Sequence, residues 1–212
     1  MTPPIQSLVF DMDGVLADTS PCHAAAWEQI FRLIGIQAPA YHEIAGRSTR
    51  NVLEQFTGGL APDHEQLLEW VRFKQLAALE TLHTAPIEYD DTTPAITCLK
   101  QAGYAMSLAT SASRASASLV LKRCGLEATF ETIVCAEDMD RAKPDPAIFM
   151  LAMKRAGYRP ASTLIIEDSS SGLAAALASG ARVACVRSGH ECDHPNFQGS
   201  FNNLLELTGS LT

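Results

Sequence analysis

Short apolar runs at 7–10, 105–109, 132–135, 163–166 and 182–186 are too brief for buried helices, and most are separated by segments of helical periodicity. Buried strands fit them best. Residues 145–156 read as a helix with Pro146 in its first turn and Gly157 at its end, and the alanine-rich 170–179 stops at Gly180. Strand, helix, strand in succession predicts an α/β fold, a doubly wound and mostly parallel sheet with helices on both faces. With 212 residues, 47% of them apolar, the chain can bury the core of one large domain or of a domain carrying a smaller insertion.

The insertion shows in the pattern itself. From about residue 20 to residue 84 there are helical patterns and no convincing buried strand. Thr19 or Ser20 can cap a helix with Pro21 in its first turn, which carries Ala24, Trp27, Ile30, Phe31 and Ile34 before Gly35 ends it. A second helix from about Glu65 sets Leu68, Val71, Leu79 and Leu82 along one stripe, and Gly58, Gly59 and Pro62 mark a turn between the two. The expected division is an α/β core of residues 1–17 and 87–212 with an inserted helical unit of residues 18–86.

A formal charge of −8 argues against nonspecific binding to nucleic acid or to an anionic membrane, because that attraction comes from clustered lysine and arginine. No apolar run is long enough to span a bilayer, and the MTPPIQS start lacks the features of a secretion signal, so a cytoplasmic protein is expected. Cys22, Cys98, Cys124, Cys135, Cys185 and Cys192 are scattered without zinc-site spacing and read mainly as small buried residues. His42, His64 and His83 read as surface residues, and His190, Cys192 and His194 as part of a C-terminal loop beyond Gly189.

The first strand runs into FDMDG, where Asp11 and Asp13 are two residues apart and so share a face at the strand end. Such carboxylates repel unless a cation or a proton lies between them, which points to metal binding or to acid/base chemistry. Thr110 and Ser111 in SLATSAS, Lys143 in RAKPDPAIF, and Glu167 and Asp168 in LIIEDSSSG end strands or lie just beyond them. In an open parallel sheet, ligands bind outside the carboxyl ends of the strands, so these residues can converge on the aspartates. Asp11 and Asp168 could then hold Mg2+, while Lys143 and the Thr110 hydroxyl bind phosphate oxygens.

In these four motifs the chain resembles the haloacid dehalogenase superfamily, in the branch of phosphatases and phosphomutases that includes beta-phosphoglucomutase. DMDGVLADT is similar to that family's first motif, Thr110 to its second, Lys143 in KPDP to its third, and Glu167 with Asp168 to its fourth. The likeness spans almost the whole chain. It implies a Rossmann-like core with a helical cap between the first and second motifs, and a Mg2+-dependent phosphatase acting on a small phosphorylated metabolite such as a sugar phosphate. It further implies that Asp11 is the nucleophile, forming an aspartyl phosphate, and that Asp13 is the general acid and base. The implied metal set is Asp11, the Asp13 backbone carbonyl, Glu167 through water, and Asp168, with Lys143 tying Asp11 to the phosphoryl group.

For substrate contact the candidates are Ser111, His23, and Gly46, Arg47, Ser48 and Arg50 of the AGRSTRN loop; Trp27 reads as packing. Hinges are expected at 17–20 and 84–89. A sugar phosphomutase is the alternative. The mutases of the branch carry a lysine just before the second crossing, where Ala77, Ala78 and Leu79 are read here, and an arginine for the distal phosphate where Thr49 stands. Both absences count against a mutase. Asp13, Glu167 and Asp168 count against a dehalogenase, which needs neither a protonated leaving group nor a divalent cation. A non-catalytic binding module would hold metal and phosphate without turnover. Ala142, Ala147 and the Asp90–Asp91 pair depart from residues common in the branch, and none of them removes a reacting group.

Overall fold

The structure is a computed structural model that describes residues 3–61 and 64–212; Pro62 of the expected turn lies outside them. Six parallel strands form one sheet in the order β3-β2-β1-β4-β5-β6, with β1 (Ser7–Phe10), β2 (Ala105–Ala109), β3 (Thr132–Val134), β4 (Thr163–Glu167), β5 (Arg182–Val186) and β6 (Phe197–Phe201). Strand β1 is central, pairing Ser7 with Ala105 on one side and with Thr163 on the other. The chain order reverses between β1 and β4, and a crevice for ligands is expected at such a point.

Alternation along the strands supplies a core on each face. Leu8 and Phe10 pack with Met106, Leu108, Leu164 and Ile166 beneath α5 (Thr92–Gln101), α6 (Arg114–Arg123) and α9 (Leu204–Leu211). Val9, Ala109, Ile165 and Val183 face the opposite way, against α7 (Ala147–Ala156) and α8 (Ser170–Ala178). The sheet is therefore doubly wound, as the apolar runs require.

Several boundaries differ from the sequence reading. Strand β3 stops one residue early, β4 runs on through Glu167, and α7 and α8 are slightly shorter than expected. The larger difference is β6. Its FQGSF sequence alternates half-buried with exposed residues, as an edge strand does, and so gives no apolar run. Beyond Gly189 the chain forms a loop and then β6 and α9, not a C-terminal loop alone.

Between β1 and α5 lie α1 (Ser20–Leu33), α2 (Tyr41–Ile44), α3 (Thr49–Phe56) and α4 (Glu65–Thr84). They enclose a core of their own, with Trp27, Ile30, Phe31, Ile44, Val52, Leu53 and Leu67 buried together. The buried stripe of α4 is Leu67, Lys74, Ala77, Ala78 and Leu82; Leu68, Val71 and Leu79 of the expected stripe are only half-buried. The two passages between helices and sheet lie side by side, where the Asp18 amide donates to the Ile87 carbonyl at 2.7 Å and Ala17 bridges Glu88. No described helix is long and apolar enough to cross a membrane.

Candidate active site

The ends of β1 and β4 and the loop before α7 bring Asp11, Lys143 and Glu167 together. Lys143 Nζ donates to Asp11 Oδ1 and to Glu167 Oε1, each at 2.6 Å, and all three side chains are buried. Phe149 lies beneath the ammonium, 4.8 Å from nitrogen to ring centre. Asp168 completes the group, since Asp11, Glu167 and Asp168 offer carboxylate oxygens within 4.8 Å of one another. Gly14, at φ +78°, lets the backbone pass close by; a Cβ there would collide with the Asp168 carboxylate.

Three carboxylates face one ammonium, so full ionisation leaves a formal charge of −2 in a site nearly closed to water. Burial pushes Asp11 up to about 8 against the pull of Lys143, and Glu167 and Asp13 add to the rise. Asp168 is pushed up to about 9 by burial, then by Glu167 and Asp11. Burial also opposes the Lys143 charge, but Asp11 and Glu167 outweigh it and hold the ammonium above the usual lysine range. An all-oxygen set with two uncompensated charges fits a hard divalent cation. Glu167 is fixed further, as its Oε2 accepts from the Asp168 and Ser169 amides and from the Ser169 hydroxyl.

Asp13 turns away from that cluster toward the helical layer. Its Oδ1 accepts from the Thr19 hydroxyl at 2.5 Å and lies 3.4 Å from His23 Nε2, too far for a well-formed bond. Thr19 is thus spent on Asp13 and makes no side-chain cap for α1, contrary to one sequence expectation. On the far side of the ring, Lys74 Nζ is 3.0 Å from His23 Nδ1 and sits over Trp27. Burial holds His23 below its usual range, helped by Lys74, so at neutral pH Nδ1 accepts from Lys74 and Nε2 carries its hydrogen toward Asp13. Burial also brings Lys74 down to about 8, with Asp13 opposing. For Asp13 burial is more than reversed by His23, Thr19 and Lys74, which keep its carboxyl below the usual range.

The sequence reading looked for a lysine just before the second crossing, found Ala77, Ala78 and Leu79 there, and passed over Lys74, which the fold sets against His23. Of those three, Ala77 and Ala78 lie three and four residues beyond Lys74, one turn along the same buried face. Its signal in the sequence was a charged residue on an apolar stripe.

The other candidates fall in different surroundings. Thr110 is fully buried and its Oγ1 accepts from the Ala112 amide. Ser111 donates to the Gly46 carbonyl, so two residues read as substrate contacts are bonded to each other. Ser48 caps α3, accepting from the Asn51 amide, and Arg47 donates to Gln55. Arg50 borders a cavity of about 320 Å³ that Thr49, Asn51, Gln75, Ser111 and Lys143 also line. Among the described residues, His190, Cys192 and His194 form no metal-binding group.

The haloacid dehalogenase-like hydrolase family model matches residues 8–186. The chain belongs to that family. Among the relatives of this hydrolase, the fructose-1-phosphate phosphatase YqaB of Escherichia coli is 29% identical over 85% of the chain and 95% of its own length. A phosphoglycolate phosphatase of Thiobacillus denitrificans is 30% identical over 91% and 87%. The chain is an enzyme of the family's phosphatase type. Its fold is that of the beta-phosphoglucomutase of Clostridium difficile, at TM-score 0.78 and 21% identity over 91% of the chain and 92% of that structure.

Proposed function

We propose that the hydrolase cleaves the phosphomonoester of a sugar or sugar alcohol, with residues 18–86 acting as a cap over an α/β core. The observation that carries this reading is the buried meeting of Asp11, Lys143, Glu167 and Asp168 from segments far apart in sequence. An Asp11 oxygen attacks phosphorus, the ester P–O bond breaks, and Asp13, ionised in the empty site, gives the departing alcohol oxygen a proton that it takes up once its carboxyl turns from Thr19 and His23 toward the substrate. Asp13 then takes a proton from water as that water attacks the aspartyl phosphate, which releases inorganic phosphate and restores the Asp11 carboxylate. Lys143 orients Asp11 and offsets phosphoryl charge, and the Thr110 hydroxyl and Ser111 stand at the end of β2 to contact the phosphate. Asp11, Asp168, the Asp13 carbonyl and, through water, Glu167 would hold Mg2+, which supplies charge neutralisation between nucleophile and substrate when bound.

The cavity of about 320 Å³ beside Lys143 supports a leaving group of sugar size. Among its lining residues Ser48, Thr49, Asn51 and Gln75 offer neutral hydrogen-bonding groups for hydroxyls, beside the charged Arg50, Glu137, Asp140, Arg141 and Lys143. Fructose 1-phosphate, for which the relative YqaB is named, has that chemistry.

A second reading, a sugar phosphomutase, is favoured by one observation. Lys74 on His23, with His23 facing Asp13, meets the lysine that the mutase resemblance requires. One experiment separates the two. Purified protein with Mg2+ is screened against sugar phosphates, hexitol phosphates and phosphoglycolate, following released phosphate and sugar-phosphate isomers by phosphorus NMR. Phosphate release from sugar-sized esters is expected. Isomerisation primed by a sugar bisphosphate would replace the phosphatase reading, and no turnover on any ester would leave a binding module.

A further inference from the structure

Two hydroxyls on the core reach two successive carbonyls of the helical layer. Ser111, just past β2, donates to the Gly46 carbonyl at 2.9 Å, and Ser171, in the first turn of α8, donates to the Ala45 carbonyl at 3.1 Å. The geometry points to Ser111 and Ser171 as a paired latch that seats the 45–46 loop over the catalytic carboxylates and is made and broken in each turnover.

Three features carry this beyond an ordinary surface contact. The loop comes down on a glycine, Gly46 at φ +74°, where a Cβ would stand 2.5 Å from Ser169 Oγ and 2.7 Å from Ser171 Oγ. Only a residue without a side chain allows that approach. Beneath the loop is a recess of about 20 Å³ bordered by Asp11, Asp13, Asp168 and Ser169, with Ala45 and Gly46 as part of its wall. That is room for about one water molecule, so a phosphoester cannot enter while both bonds are in place. Finally, Ser111 borders both the recess and the 320 Å³ chamber, where substrate would sit. Its hydroxyl serves the loop in the empty site and the substrate once one is bound, so releasing Gly46 opens the way between the two spaces, and Ser171 alone reseats the loop over bound substrate.

Ser171 borders neither space and touches no reacting group, so it is the positioning residue through which the latch can be tested alone. The catalytic consequence rests on the phosphatase reading above; the contact itself does not. Closure that precedes chemistry enters kcat/KM, so a weaker latch lowers the fraction of productive encounters.

Ser171→Ala and Ser171→Thr are compared with the wild-type chain by steady-state kinetics and by hydrogen–deuterium exchange of residues 41–56. Ser171→Ala is expected to lower kcat/KM about fivefold, the effect of one neutral hydrogen bond, and to leave the pH profile unmoved. Exchange at the 45–46 loop should rise in the same variant. Ser171→Thr keeps a hydroxyl and should restore both. A Ser171→Ala variant that turns over and exchanges like the wild type overturns the latch, as does a Ser171→Thr variant that behaves like Ser171→Ala. If the wild type hydrolyses no ester, the phosphatase reading fails, while the exchange comparison still decides whether Ser171 holds the loop.

Discussion

Asp11 and Lys143 are both almost fully removed from solvent, and neither can be changed without altering the charge the other must bear. The two substitutions should nevertheless act differently. Asp11→Asn keeps the shape of the side chain and removes one of three crowded carboxylates, so the nucleophile is lost while the electrostatic load falls. We expect hydrolysis to drop by roughly 10⁴-fold or more, with urea stability in EDTA at pH 8 no lower than wild type. Lys143→Met takes away the one ammonium and leaves Asp11 and Glu167 buried without it. That should abolish turnover and also cost about 3–5 kcal/mol in the same urea titration. Equal stability losses for the two variants would contradict the charge assignment.

At the scale of elements, β5 is followed at once by Arg187, which takes φ +60° and is the one non-glycine residue with positive φ among those described. The conformation turns its guanidinium back across the second passage, onto the Tyr89 ring at 3.7 Å and against Asp91 at 2.6 Å. Asp91 in turn accepts from the Leu204 amide at the start of α9, so one arginine joins the returning chain to both β5 and the C-terminal helix. Arg187→Ala should lose about 2–3 kcal/mol through the ion pair and the stacking. Arg187→Gly should lose about 1 kcal/mol less, because glycine adopts this φ freely, and paired thermal melts will show whether that order holds. None of this was legible in the sequence, where Asp90 and Asp91 looked only like a departure from a common turn. Buried parallel strands were legible because both faces are apolar and the runs stand out, and the four motifs followed from their place at strand ends. The edge strand β6 was not, since two of its five residues face solvent and the others are only half-buried. In the helical layer, contacts are made between helices whose mutual register no local pattern reports. Lys74 was therefore passed over, a turn short of the place where a lysine was looked for, and the bonds of Ser111 and Ser171 to 45–46 went unseen.

Across the whole molecule, the excess of carboxylates at the centre is part of a formal charge of −8, and it predicts how stability should respond to pH and to metal. Asp11 and Asp168 keep their protons in the fold up to about 8 and about 9, against an ordinary value of 3.8 for each. An unfolded chain therefore releases protons that the metal-free fold still holds. The stability these groups contribute is complete below pH 3.8 and is lost as pH rises through their folded values. Two other buried groups act outside the middle of this range. His23, depressed from 6.5, matters only below that value, and Lys74, brought down to about 8, only above it. Between pH 6.5 and 8 the decline should thus be free of both, at about 2 kcal/mol for each fully counted carboxyl. A divalent cation bound by the carboxylates takes the place of those protons, and its affinity rises as they leave. Melting temperatures in EDTA should fall across this window, whereas those in saturating Mg2+ should stay level or climb, so that the two curves diverge toward pH 8. Parallel curves would mean that the cation binds elsewhere, and that Asp11, Glu167 and Asp168 reach charge balance through protons alone.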